Sequence, residues 1–201
     1  MRADGIVFGI AGALFGLIVG WVLGSQQTAS RAVVTAPMAQ AAPAQQASGP
    51  PPATPVDPAR IKALEEAAGQ NPKDVPSRVQ LGNMFFDAEQ YPQAITWYEQ
   101  ALALNPNDPN VSTDLGVAYY YTNQPDRALA QFDKSLSADP KHIKTLLNLG
   151  IVRAFGKQDL AGAAQAWQLV VDLDPNSPEG QAAKKGLEGI KSAQGTGGGG
   201  K

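Results

Sequence analysis

The chain has 201 residues, a formal net charge of −2, one histidine and no cysteine. Its 43% hydrophobic content lets part of it bury a core, and the near-neutral charge gives no electrostatic reason to expect nucleic acid. Without cysteine there is no disulfide, thiolate metal site or cysteine nucleophile; with His142 as the single imidazole, a zinc centre is short of ligands and a Ser-His-Asp triad would have to use that residue.

Residues 5–24, GIVFGIAGALFGLIVGWVLG, carry no charge. At helical rise they span ~30 Å, the thickness of a bilayer's hydrocarbon core. The best cleavage site, Ser30-Arg31-Ala32, is poor and lies well past the apolar run. Residues 1–24 are therefore expected to form a retained transmembrane signal anchor. Arg2 precedes the span and Arg31 follows it, so the N-terminus is expected in the cytoplasm and the rest outside. Gly12, Gly16, Gly20 and Gly24 recur at four-residue spacing. Such a ridge permits close packing of membrane helices, including a homo-oligomer, although glycine is also simply common in such helices.

Residues 25–57 are rich in Ala, Gln and Pro and lack periodic apolar positions, so a disordered linker is expected. From residue 58 apolar residues recur at three- and four-residue spacing between Pro and Asn-Pro breaks, and no two-residue alternation is sustained. An all-α fold follows. Leu81-Gly82, Leu115-Gly116 and Leu149-Gly150 stand 34 residues apart. Ala94, Ala128 and Ala163 follow, then Tyr98, Phe132 and Trp167, then Pro106, Pro140 and Pro175. One extra residue near 159–161 predicts an altered turn in the third unit.

This register of Leu-Gly, Ala, aromatic and Pro over residues 58–190 resembles the tetratricopeptide repeat (TPR). Arg153 departs from it, standing where an aromatic is usual. The resemblance implies an α-solenoid: a leading segment at 58–74, repeats at 75–108, 109–142 and 143–177, and a capping helix at 178–191. Residues 192–201, ending GTGGGGK, are expected to be a disordered tail. The glycines let the second helix of each pair approach, and the aromatics are expected to fill the space between units. One helix pair cannot bury its apolar face, so the pairs must stack.

The first helices of TPR arrays line a concave face. The resemblance implies that Val79, Asn83, Phe86 and Asp87, then Thr113, Val117, Tyr120 and Tyr121, then Lys144, Leu147, Ile151 and Phe155 face that groove. Any single apolar member has the plainer reading of buried core. A clamp for a terminal carboxylate is matched by Asn83, Lys144 and Asn148 alone, with Val79 and Val117 where polar donors are wanted. His142 and the scattered aspartates, Asp114 among them, read as turn, capping and solubilising residues. No nucleophile, base and oxyanion donors converge, so the chain reads as a non-enzyme without cofactor.

In layout it is similar to bacterial envelope TPR proteins of the cytochrome c biogenesis type. That implies a membrane-anchored adaptor or assembly chaperone on the periplasmic side of a bacterial inner membrane, binding peptide or helical segments of partner proteins. The competing reading is a scaffold that self-associates through its glycine-rich span and presents no client.

Overall fold

The computed structural model describes residues 56–196. The expected membrane segment at 5–24, its four glycines and the linker up to residue 55 lie outside the described residues. Among the described residues no helix is long and apolar enough to cross a membrane.

The described chain is all helix: α1 (Pro58–Gln70), α2 (Val75–Asp87), α3 (Tyr91–Leu104), α4 (Pro109–Tyr121), α5 (Pro125–Ala138), α6 (Ile143–Ile151, continued by a π-helical turn Val152–Gly156), α7 (Leu160–Leu173) and α8 (Pro178–Thr196). Aspartates start several of them. The carboxylates of Asp57, Asp74, Asp108 and Asp159 accept backbone N–H bonds from the first turns of α1, α2, α4 and α7. Proline stands at the first or second position of α1 to α5, where its fixed φ is helical and its missing N–H costs nothing.

Within each pair the helices are joined through a left-handed residue, Glu89 (φ 58°), Asn123 (φ 60°) or Gln158 (φ 57°). In the first two pairs Gln90 N–H bonds Phe85 O and Gln124 N–H bonds Tyr119 O, the long hydrogen bond of a Schellman cap. In the third, Asp159 N–H bonds Arg153 O, spanning one residue more. The extra residue predicted for the turn is thus absorbed in the preceding helix, as the π-helical turn, and the turn keeps its left-handed residue. Backbone carbonyls cannot be left unbonded at that closely packed joint, so the helix widens by one residue and the cap survives.

Antiparallel packing runs down the chain, α1 on α2, α2 on α3, α3 on α4 and onward to α8. The glycine and aromatic marks meet within each unit. A Cβ on Gly82 would lie 2.4 Å from the Tyr98 ring, on Gly116 2.4 Å from Phe132, and on Gly150 2.2 Å from Trp167 Nε1. Each aromatic therefore lies directly on its own unit's glycine, rather than only between units as expected. Tyr98, Phe132 and Trp167 are essentially inaccessible. Burial of such rings dominates core energetics. Trp167 Nε1–H donates to Leu147 O at 3.1 Å, so its one polar atom is satisfied. Trp167 also meets Gly186 of α8, which seats the closing helix on the third unit. That helix runs to Thr196, so residues 192–196, expected as disordered tail, are helical.

Candidate functional site

α4 packs directly on α6, whereas α3 and α5 flank an open cleft of about 790 Å³ with Leu115 and Tyr119 of α4 among its lining. The face carried by the first helices α2, α4 and α6 is termed the inner face.

The proposed groove residues divide by burial. Asn83, Asp87 and Lys144 are exposed, and Val79, Phe86, Val117, Tyr120, Tyr121 and Phe155 are half-buried. Thr113, Leu147 and Ile151 are buried at 2%, 1% and 4% exposure, so these three are corrected to interior positions. Leu147 and Ile151 follow the apolar stripe of α6 into the third unit's core, where four-residue spacing on one face marks packing as readily as recognition.

Thr113 is drawn instead into the joint between units. Its hydroxyl donates to Pro109 O at 2.6 Å and lies 2.6 Å from Thr145 Oγ1 and 3.2 Å from Ser135 Oγ. Thr145 Oγ1 lies 2.7 Å from His142 Nδ1, and His142 Nε2 lies 3.1 Å from Asn110 Oδ1. Nε2–H donating to Asn110 leaves Nδ1 to accept from Thr145. His142 is thus a half-buried joint residue, not the solvated turn residue expected. Burial holds its pKa below the ordinary value, with Asp139 and Asp108 opposing and Lys144 reinforcing that direction.

Aromatic rings gather where α2, α3 and α4 meet. Tyr91 and Tyr121 stack at 4.5 Å between centroids, and Phe86 meets them edge-on at 5.4 and 6.2 Å. Tyr120 lies 6.1 Å from Tyr121. Its ring also reaches Gly156, so a side chain there would crowd it. Position 121 combines a half-buried face with a phenol, whose proton burial and the neighbouring Tyr91, Tyr120 and Glu89 hold in place. Tyr91 was not among the predicted groove residues. Its signal was weak, because it opens a second helix rather than lying in a first one.

A polar patch lies on the same face. Tyr98 O–H donates to Asn83 Oδ1 at 2.8 Å, and Asn148 Nδ2–H donates to Lys144 O at 2.8 Å. Those two amides are therefore partly occupied, which weakens the three-residue match to a carboxylate clamp. Asp114 of α4 was read from sequence as a solubilising residue. It is half-buried in the middle of its helix, and burial pushes its carboxyl up to about 6. Lys144 pulls that value down, and Asp108 and Asp87 push it up. Asp87 itself is raised by burial. The phenol of Tyr98 is raised well above its ordinary value by burial and by Asp114 and Asp87. Among the described residues no group of three or more His, Cys, Asp or Glu side chains is placed to hold a metal ion.

Two family profiles match the chain. One, described as TPR repeat, covers residues 82–123, and the other, described as tetratricopeptide repeat, covers residues 113–178. The helix pairs within these two stretches thus match tetratricopeptide repeats. No curated protein matches the sequence significantly. Among solved structures the chain is similar to the Sgt2 TPR domain from Aspergillus fumigatus, at 29% identity and TM-score 0.54, over 61% of this chain and 82% of that one. It is similar in fold to the first TPR of Spaghetti (RPAP3) bound to HSP90 peptide SRMEEVD, at 24% identity and TM-score 0.52, over 70% of this chain and 97% of that one. It is also similar in fold to MamA, at 15% identity and TM-score 0.55, over 68% and 87% of the two chains.

Proposed function

We propose that this tetratricopeptide-repeat array is a non-enzymatic adaptor that holds segments of partner proteins against α2, α4 and α6. The observation that carries the reading is the inner face itself. Half-buried aromatic rings, Phe86, Tyr91, Tyr120 and Tyr121, adjoin a polar patch of Asn83, Asp87, Asp114 and Lys144. Rings with two rotatable bonds and a polar tip lose little entropy on contact, which suits a recognition surface. A structure of similar fold was solved with a bound peptide, which supports the use of such an array for extended segments.

The apolar span at 5–24 supports tethering of this array to a membrane, with the repeats on the extracytoplasmic side. Assembly of cytochrome c is the pathway that the layout suggests. Photocrosslinking of the full chain tests the reading. A photoreactive residue at Val117 or Tyr121 should capture defined partner segments, and one at the outer, exposed Leu104 should not. Capture of apocytochrome segments would support the pathway. Adducts from Leu104 alone would contradict the groove, and adducts only with copies of the chain itself would favour the scaffold.

A further inference from the structure

The joint between the second and third units is built unlike its neighbours. Its centre is three hydroxyls, Thr113 of α4, Ser135 of α5 and Thr145 of α6, at 2%, 0% and 0% exposure. In the preceding joint, 34 residues earlier, Val79, Ala101 and Val111 hold the same stations, and all three belong to the apolar core or pack against it. In the third unit, with its extra residue counted, the stations of Thr113 and Ser135 pass to Leu147 and Val170, both buried. Aliphatic side chains therefore satisfy packing at these stations, and hydroxyls are not needed for it.

Histidine completes the departure. His142 stands 34 residues after Asp108, whose carboxylate caps α4 by accepting from Asn110 and Val111 N–H. The His142 side chain caps no backbone N–H of α6. Its ring turns to the joint instead, Nδ1 toward Thr145 and Nε2 toward Asn110. Protons are scarce there. Five contacts run at 2.6 to 2.9 Å: Thr113 and Ser135 to Pro109 O, Thr113 and Ser135 to Thr145, and Thr145 to His142 Nδ1. Three hydroxyls bring three protons, and a neutral ring with its hydrogen on Nε2 adds none. Protonation puts a hydrogen on Nδ1, which then donates to Thr145, and Thr145 turns its own proton to Thr113 or Ser135. One proton thus rewires the links from α6 to α4 and α5.

The charge that comes with it is poorly placed. Nδ1 faces hydroxyls closed to water, and Lys144 of α6 adds like charge. Asp108 at the start of α4 and Asp139 at the end of α5 oppose, yet burial outweighs them and holds the ring below its ordinary pKa. The closed joint therefore favours the neutral ring.

We infer that this joint is a proton-sensitive hinge, which acid loosens between α6 and the pair α4 and α5 while the apolar joint before it stays closed. α4 and α6 both carry the inner face, so the hinge alters the outline of that face with pH, whatever the face binds. The closing contribution is complete above 6.5 and is lost as pH falls through the folded pKa.

Hydrogen exchange of the full chain at pH 7.5 and pH 5, each normalised to the intrinsic exchange rate at that pH, tests this. At pH 5 residues 142–148 should lose about threefold or more in protection relative to residues 77–83 and 99–104, which report the preceding joint. His142→Asp, which copies Asp108, should abolish that relative loss, and so should His142→Gln, which keeps a polar side chain that does not titrate. No relative loss in the wild type, a loss shared equally by both joints, or a loss that survives in either variant would overturn the hinge.

Discussion

Replacing Asp114 with asparagine should strengthen the fold. Its carboxyl is raised from the ordinary 3.8 to about 6, chiefly by burial. At ~1.4 kcal/mol for each tenfold change in proton affinity, the ionised form carries a ceiling of about 3 kcal/mol. The side chain keeps part of its surface open to water, and screening reduces the realised figure to about 1–2 kcal/mol. The sign follows from linkage. A carboxyl whose folded pKa lies above its unfolded value destabilises the fold when ionised, so the wild type recovers stability as pH falls from about 6 toward 3.8. Asp87, Asp108, Lys144 and Tyr98 face the site and remain in both proteins. Urea unfolding of a soluble fragment spanning residues 56–196 should therefore show Asp114→Asn ahead at pH 7.5 and level with wild type near pH 4. A variant that is equally or less stable at pH 7.5, or an advantage unchanged at pH 4, would refute the reasoning.

Other consequences are equally direct. Gly116→Ala should cost about 1–3 kcal/mol by urea unfolding, because the added methyl would meet the buried Phe132 ring. Gly69→Ala, in the last turn of α1 and meeting nothing within 4 Å, should add a few tenths to ~1 kcal/mol. Gln158→Gly should raise stability by about 0.5–1 kcal/mol, because it relieves a left-handed side chain while adding freedom to the unfolded chain. His142, whose pKa is depressed by burial, contributes stability present above 6.5 and lost as pH falls through its folded pKa. His142→Gln should flatten the melting-temperature profile over that interval.

The repeat was legible because its marks are packing marks. Gly82, Gly116 and Gly150 recur since a ring of their own unit rests on each, and that necessity imprints a 34-residue period. Helix starts were legible in the aspartates and prolines that cap them. The third unit's insertion was visible as an extra residue, yet its location was not, because hydrogen bonding decides between a longer turn and a widened helix. The depth of the candidate groove residues was only partly legible. Phe86, Val117, Tyr120 and Tyr121 remain half-buried, whereas Leu147 and Ile151 follow the same spacing into the core. Periodicity assigns a face and not its depth. Asp114 and His142 were read as solvated residues because their environment comes from neighbouring helices, 22 to 32 residues away in the bonds of the hydroxyl joint, and not from adjacent sequence.

Hydrogen exchange of the intact chain, with and without a partner segment captured by photocrosslinking, is the most direct test of the inner-face claim. Protection should rise in α2, α4 and α6, most around residues 83–87, 114–121 and 144–148, with α3, α5 and α7 little changed. Protection confined to α3, α5 and α7, or to the cleft lined by Glu99, Arg127 and Lys134, would place recognition on the outer layer and contradict it.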